Sequence, residues 1–214
     1  MTLKIKTENI LFYLAYSLYF MALMTENLSV DNMHTVKQIL VFMSVGILFI
    51  DYMKKYLLGH VFGLRFSLFV LMLSIVAFLV IYMAVTTKDY YLIAVVMLAV
   101  GMRKLDMKEF FRISFVILLF LTTIVVLSSV IGIIPMVSSV RKTAYNHGGV
   151  RYAMGFKGGL FLPNIIVYCV CYYYSFKGKM KLIDFIFFQI LGIIVFLLCD
   201  SRNGMIALEI MYVF

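Results

Sequence analysis

Two arginines stand in short segments that combine cations, polar groups and turn-forming residues: Arg151 and Arg202. The segment at residues 135–158 contains Arg151 and also holds Arg141, Lys142, His147 and Lys157. An arginine side chain offers a rigid fork of N–H donors that matches the oxygens of a phosphate group. Clustered cations of this kind bind anions through charge-assisted hydrogen bonds. We therefore interpret residues 135–158 as a candidate anion-binding loop, the alternative being a solvated surface loop that is merely basic.

Residues that shape the backbone surround the two arginines. Four glycines near Arg151 permit tight turns and close approach to a ligand: Gly148, Gly149, Gly158 and Gly159. Pro163 suits the first turn of a helix, where its missing N–H is not needed. Asn164 follows as a polar amide near the start of the same helix. Next to Arg202 stand Asp200 and Ser201. The alternative to a functional role for either of them is that it only caps the start of a helix.

The elements that must position these residues belong to a membrane protein. The chain has 214 residues, is 64% hydrophobic and has a mean hydropathy of +1.06, which is more apolar surface than a soluble domain of this size can bury. Its long segments are apolar on all faces, whereas the strands of a membrane β-barrel alternate apolar and polar residues. Helices are therefore predicted.

Seven apolar segments are long enough, or nearly so, to cross a bilayer as helices. They cover residues 10–24, 37–52, 66–85, 90–102, 113–134, 158–176 and 182–198. An eighth begins near Asn203, and its 12 residues to Phe214 are too few to cross. The predicted fold class is all-α, a polytopic transmembrane bundle of about seven complete spans plus the start of an eighth. It forms a single domain over residues 1–214, with residues 135–158 as an outer loop.

The distribution of charge predicts a cytoplasmic N-terminus. With this orientation 12 of the 19 basic residues lie on the inner face, as the positive-inside rule requires. Five of the remaining seven lie in residues 135–158 or at Arg202. This loop departs from a rule that the rest of the chain obeys, which again favours anion binding.

Other residue types receive structural interpretations. No charged residue falls in the middle of a predicted span, which argues against an ion-coupled transporter. Cys169, Cys171 and Cys199 lack the spacing of metal ligands and are interpreted as small apolar residues. The tyrosines at the span ends are predicted to form an interfacial belt. They include Tyr13, Tyr16, Tyr19 and residues 172–174.

Two motifs resemble a known family. Arg151-Tyr-Ala-Met-Gly155-Phe156 followed by Pro163-Asn164 resembles the R-x-x-x-G-F … P-N pattern of the O-antigen and capsular polysaccharide polymerases. Ser201-Arg202-Asn203-Gly204 resembles the S-R-[TNG]-G element of the same proteins and of the related O-antigen ligases. The sequence departs from the pattern between Phe156 and Pro163, where six residues intervene and a frequent histidine before the proline is missing.

The resemblance implies an enzyme of polysaccharide biosynthesis that makes capsule, exopolysaccharide or O-antigen. Such a glycosyltransferase moves a glycan from undecaprenyl pyrophosphate onto a lipid-linked repeat unit, at the outer face of the bacterial cytoplasmic membrane. Arg151 and Arg202 would stabilise the departing pyrophosphate, assisted by Lys157, Arg141 and Lys142, with Asn164 also in the substrate site. The general base stays open between His147 and Asp200. No metal, cofactor or nucleic acid is implied.

The implied partners are lipid-linked oligosaccharide, membrane lipids, a flippase and a chain-length regulator. Family members generally have ten or more helices, so the chain is expected to be a C-terminally truncated member and activity is expected of the full-length protein. Two alternatives of other classes stay open. One is a transporter or flippase of lipid-linked oligosaccharide. The other is a non-catalytic membrane subunit of a polysaccharide assembly system.

Overall fold

Each of the seven predicted apolar segments forms a helix in this computed structural model. The structure describes residues 9–31, 33–57, 68–87, 90–102, 105–140, 150–199 and 206. The helices are α1 Ile10–Glu26, α2 Met33–Leu57, α3 Leu68–Thr87, α4 Tyr91–Met102, α5 Met107–Val130, α6 Phe161–Lys177 and α7 Leu182–Cys199. Two short strands, β1 Ser138–Val140 and β2 Val150–Tyr152, lie between α5 and α6. The helical fold class is confirmed, and this hairpin is an addition to it.

Three helices in the described parts of the chain are long and apolar enough to cross a membrane. They are Met33–Lys54 within α2, Met107–Val130 and Leu182–Cys199. An apolar helix suits a bilayer because it satisfies all of its backbone hydrogen bonds within itself. Helices of this length and composition are expected in a membrane protein.

Helix α5 differs most from its predicted bounds, because it begins at Met107 rather than at residue 113. Asp106 precedes it in an extended conformation and accepts a hydrogen bond from the backbone N–H of Lys108, at 2.9 Å. A side-chain cap of this kind satisfies one of the four N–H groups that a helix start leaves unpaired. The apolar run alone does not reveal this start, because the first turn is charged.

The described residues fall into two compact units. The first lies within Met1–Thr25 and His34–Leu105, and the second within Glu26–Met33 and Asp106–Phe214. In the first unit, Ser44 of α2 donates a hydrogen bond to the carbonyl of Ala15 in α1, at 2.8 Å. Tyr52 of α2 donates another to the carbonyl of Met97 in α4. Polar side chains therefore join α2 to both neighbouring helices.

One face of α2 buries polar groups. Lys37, Ser44 and Asp51 are at most 6% exposed and recur every seven residues, which places them on the same side of a helix. The predicted span at residues 37–52 puts Lys37 at a span end. The structure instead places it more than one turn inside α2, with its ammonium 5.4 Å from the ring centre of Tyr91.

The tyrosines of α1 do not form a belt. Tyr13, Tyr16 and Tyr19 recur every three residues and are all at most 8% exposed. Within this helix the aromatic rings are part of a packed face, so the predicted interfacial role is wrong for these three residues. Tyr174 of α6, by contrast, is exposed, as such a role requires.

In the second unit, α6 packs against both α5 and α7. The ring of Phe111 in α5 stacks on Tyr172 at 5.9 Å, and Phe115 contacts Tyr173 at 5.5 Å. Tyr173 also meets Phe188 of α7 edge to face, at 5.2 Å. Aromatic pairs in these geometries add attraction beyond the burial of their area. These aromatic contacts hold the C-terminal end of α6, which is the end farther from residues 135–158.

Candidate functional site

A β-hairpin carries Arg151. Strands β1 and β2 are antiparallel, and Ser139 lies opposite Arg151. The ladder is prolonged by a hydrogen bond from the N–H of Ala153 to the carbonyl of Val137, at 2.9 Å. The backbone of Arg151 is therefore held in an extended strand, not in a loose loop.

A tight turn follows the hairpin at residues 153–156, and we call it the Met154 turn. The N–H of Phe156 donates to the carbonyl of Ala153 at 2.9 Å, which closes a four-residue β-turn. Both central residues have positive φ, 48° at Met154 and 88° at Gly155. This combination is typical of a type I′ turn, whose central positions favour glycine, asparagine and aspartate. A methionine there is strained by about 1 kcal/mol or more.

Gly155 is needed for two independent reasons. Its φ of 88° is unfavourable for any residue with a Cβ. A Cβ at this position would also lie 3.1 Å from the Cβ of Ser129 and 3.2 Å from the carbonyl oxygen of Val125. The turn thus presses its backbone directly against α5.

Phe156 fixes the other side of the turn. Its side chain is 0% exposed, and its ring centre lies 4.9 Å from that of Phe161 in the first turn of α6. Burial of a phenylalanine contributes about 1.5–3 kcal/mol relative to an exposed one in water. The Gly-Phe pair that the sequence analysis matched to a motif therefore has a packing role in this chain.

The connection between α1 and α2 closes over the turn. Within the second unit, residues 27–29 form a clamp segment whose backbone runs antiparallel to residues 155–157, with Leu28 opposite Phe156. The N–H of Lys157 donates to the carbonyl of Asn27 at 2.7 Å, and the N–H of Ser29 donates to that of Gly155 at 3.0 Å. The Ser29 hydroxyl contacts the carbonyls of both Pro135 and Gly155.

Beneath the Met154 turn lies an apolar cavity of about 250 Å³ between α5, α6 and α7. The Met154 side chain lines it together with Leu127, Ile166, Phe188 and Ile194, among others. Thr122 and Thr123 also line it, but their hydroxyls donate back to the carbonyls of Leu118 and Leu119, both at 2.7 Å. The cavity therefore presents hydrocarbon surface, and the buried side chain of Met154 connects it to the turn.

The predicted site residues divide into two groups. The structure describes the backbone of Arg151, the exposed Lys157 that follows the Met154 turn, and the exposed Asn164 in the first turn of α6. Arg141, Lys142, His147, Asp200 and Arg202 lie outside the described residues. Within the described ranges, no three histidine, cysteine, aspartate or glutamate side chains lie close enough to hold a metal ion.

One glycine has to be added to those that the sequence analysis named. The sequence analysis gave the turning role to Gly148, Gly149, Gly158 and Gly159. Of these, Gly148 and Gly149 lie outside the described residues, and Gly158 has no left-handed φ and no atom within 4 Å of a built Cβ. Gly158 and Gly159 do lie in a turn, which the N–H of Phe161 closes by donating to the carbonyl of Gly158 at 3.2 Å. Gly155 forms a further turn, the Met154 turn. Its only signal in the sequence is a glycine between two large apolar residues.

The opposite end of α6 holds a different charged group. The ammonium of Lys177 donates to the Tyr173 hydroxyl at 3.0 Å and lies 4.0 Å from a carboxylate oxygen of Asp184. The hydrogen bond with Tyr173, together with the nearby Asp184 carboxylate, raises the pKa of Lys177 above its ordinary value. All three groups are solvent-accessible, so this arrangement stabilises the α6–α7 connection only modestly.

Comparison with protein-family models, with curated proteins and with solved structures finds no match to the chain.

Proposed function

We propose that the chain is a polysaccharide polymerase of the bacterial cytoplasmic membrane that uses polyprenyl-pyrophosphate-linked glycans. The carrying observation is the immobilised backbone that extends from Arg151 to Lys157. A hairpin holds one end, the clamp segment holds the other, and the Met154 turn packs between them. Groups that stabilise a developing charge act best when they are already fixed before the reaction.

The motif residues acquire separate roles in this proposal. Packing explains why a glycine and a phenylalanine occupy positions 155 and 156, since Gly155 approaches α5 and Phe156 is fully buried. Arg151 carries the positive charge of the pattern, and its guanidinium offers donors that match phosphate oxygens. It is therefore the residue of this segment that we assign to the anion.

The proposed reaction transfers a glycan between two lipids. An acceptor sugar hydroxyl attacks the anomeric carbon of the donor, and the bond from that carbon to the pyrophosphate oxygen breaks with its electron pair. The pyrophosphate leaves with additional negative charge, which Arg151, Lys157 and Arg202 would stabilise. The hydroxyl proton passes to a general base, for which His147 and Asp200 are the candidates.

The experiment compares polymer formation by membranes that contain the complete protein and its variants. Arg151→Ala and Arg202→Ala should each lower the rate by about 100-fold or more, the loss typical when one charge-stabilising donor is removed. Arg151→Lys should retain part of the activity because it keeps the charge. The matched control is Lys179→Ala, an exposed lysine beyond the other end of α6. Polymer of normal amount and length in both arginine-to-alanine variants would refute the proposal.

The proposed topology has seven spanning helices, the N-terminus in the cytoplasm and the Met154 turn outside. Its support is the bias of basic residues, together with three described helices that are long and apolar enough to cross a membrane. Single cysteines replacing Lys157 and Lys179 flank α6 and test it directly. A membrane-impermeant maleimide added to intact cells should label the first and not the second. Equal labelling of both would reject the orientation.

A transporter of lipid-linked oligosaccharide is a second candidate because of the buried face of α2. Ionisable residues inside a spanning helix often mark a transport path. Lys37 and Asp51 are both buried within the candidate span Met33–Lys54, about 21 Å apart along the helix axis. Under this reading Lys37→Met and Asp51→Asn abolish translocation of a fluorescent lipid-linked sugar in vesicles. Unchanged translocation in both variants would remove the candidate.

A further inference from the structure

The cavity beneath the Met154 turn has the chemistry of a hydrocarbon site. It lies within the second unit, and its walls come from α5 and α7, which are candidate spans, and from α6 between them. A cavity of about 150 Å³ lined by aliphatic side chains accommodates a benzene molecule. The cavity here, at about 250 Å³, therefore has room for several carbons of a lipid chain.

Polar ligands are disfavoured in this cavity because its described lining residues offer them few hydrogen-bonding groups. Among the described residues that line it, Thr122 and Thr123 alone carry hydroxyls, and both donate to carbonyls of their own helix. Removing an amide or hydroxyl from water without a compensating hydrogen bond costs about 1–3 kcal/mol. A hydrocarbon chain has no such cost.

A cation lies close to the cavity in sequence. Lys157 follows Met154 by three residues, is exposed, and has its backbone fixed by the clamp segment. A cavity lined by apolar side chains that include Met154, with an exposed lysine three residues farther along the chain, matches a lipid that carries a negatively charged headgroup. A lysine near a membrane surface raises the affinity for anionic lipid about fivefold.

We infer that the cavity binds one hydrocarbon chain of an anionic membrane lipid, with the headgroup at Lys157 and Met154 in contact with the chain. Hydrocarbon tails gain little by exchanging bilayer for an equally apolar groove. The cavity therefore selects the shape of the chain, and the charged headgroup provides the affinity. The inference rests on the proposed function only for the placement of Lys157 at a membrane surface.

Through the side chain of Met154, the bound hydrocarbon chain would contact the turn that follows Arg151. Its side chain lines the cavity, while its backbone holds the positive φ that the turn after Arg151 requires. A lipid chain packed against the Met154 side chain would stabilise that strained conformation.

The test uses a matched pair of tryptophan substitutions in the full chain. Ile194 lines the cavity and Ile193 does not, although both side chains are between 40% and 50% exposed on α7. Ile194→Trp should block the cavity, and Ile193→Trp should not. A second pair tests the headgroup contact independently of the cavity, with Lys157→Met as the variant and Lys179→Met as its control.

Native mass spectrometry of the purified protein then measures adducts with dioleoyl phosphatidate, undecaprenyl phosphate and dioleoyl phosphatidylcholine. We expect the first two lipids to bind, with at least fivefold fewer adducts in Ile194→Trp and in Lys157→Met, and wild-type amounts in both controls. An effect on undecaprenyl phosphate alone identifies the chain as isoprenoid, and an effect on phosphatidate alone identifies it as acyl. Either result supports the inference.

Three results would overturn it. Ile194→Trp with wild-type adducts would exclude the chain from the cavity, and Lys157→Met with wild-type adducts would exclude the headgroup contact. Equal binding of phosphatidylcholine would remove the requirement for a net negative charge. A disulfide between cysteines at Leu127 and Ile206 would show instead that the chain's own last segment covers the cavity. Loss of polymer in Arg151→Ala is measured separately, so the two proposals can fail independently.

Discussion

The two connections that flank α6 contain similar residues but are built differently. Each has a glycine with left-handed φ, Gly155 at 88° before α6 and Gly178 at 74° after it, and each has a nearby lysine. Around Gly155 the neighbours are backbone and side chains of α5 within about 3.2 Å. Around Gly178 nothing lies within 4 Å of a built Cβ.

The difference shows which connection requires a defined shape. After α6, Gly178 only ends the helix, with its N–H donating to the carbonyl of Tyr174 at 2.8 Å, as is common for a left-handed C-terminal glycine. Before α6, backbone hydrogen bonds from Val137 and from the clamp segment hold both sides of the Met154 turn. Surface lysines occur in both places, so charge alone does not distinguish a binding loop from a solvated one.

The largest expected effect comes from removing the buried ring of the first connection. Phe156→Ala should lower the free energy of unfolding by about 3–5 kcal/mol, because a fully buried phenylalanine leaves a cavity when it is truncated. Phe120→Ala, at a side chain that is 62% exposed on α5, should cost under about 1 kcal/mol. Thermal unfolding in detergent measures both. Equal losses would mean that Phe156 does not hold the turn.

A smaller effect is expected from the glycines themselves. Gly155→Ala should cost about 2–4 kcal/mol, because unfavourable φ and overpacking against α5 add together. Gly178→Ala should cost only about 1 kcal/mol, since it meets the first penalty alone. Gly158→Ala, with neither penalty, serves as the control. Denaturation midpoints of the three variants in one detergent give the ranking, and a Gly178→Ala loss as large as that of Gly155→Ala would contradict it.

The smallest effect is expected at the charged group of the second connection. Lys177→Met should lower Tm by under about 2 °C at pH 8, because exposed ion pairs contribute little. The raised pKa of Lys177 means that its contribution is fully present below the ordinary lysine value of 10.5 and is lost as the pH rises through the raised value. Wild type and variant should therefore converge in Tm at strongly alkaline pH. A difference that grows above pH 10.5 would reverse the sign.

The sequence predicts the helices well because long apolar runs leave the backbone few alternatives. The positions of all seven follow from such runs, whereas the start of α5 depends on Asp106, which lies outside the run. The hairpin was missed because strands of three residues carry no detectable alternation. Helix positions depend on local composition, whereas the start of α5 and the β-hairpin do not.

The candidate site was predicted less completely, for a different physical reason. Arg151 and Lys157 follow from residue type, and Asn164 from its place next to Pro163. Gly155 and Ser29 become meaningful only through contacts with distant parts of the chain, and the cavity behind Met154 depends on three helices at once. A single sequence contains no signal for which distant segments meet.

The pairing of Ser29 with Gly155 has a consequence for how the protein is made. These two residues are 126 positions apart. At a synthesis rate of about 5–20 residues per second, the clamp segment leaves the ribosome about 6–25 s before its partner does. During that interval its polar backbone groups must remain hydrated, because hydrocarbon offers them no hydrogen bonds. In the proposed topology, residues 27–29 therefore stay at the aqueous surface of the membrane until α5 and the Met154 turn have been synthesised.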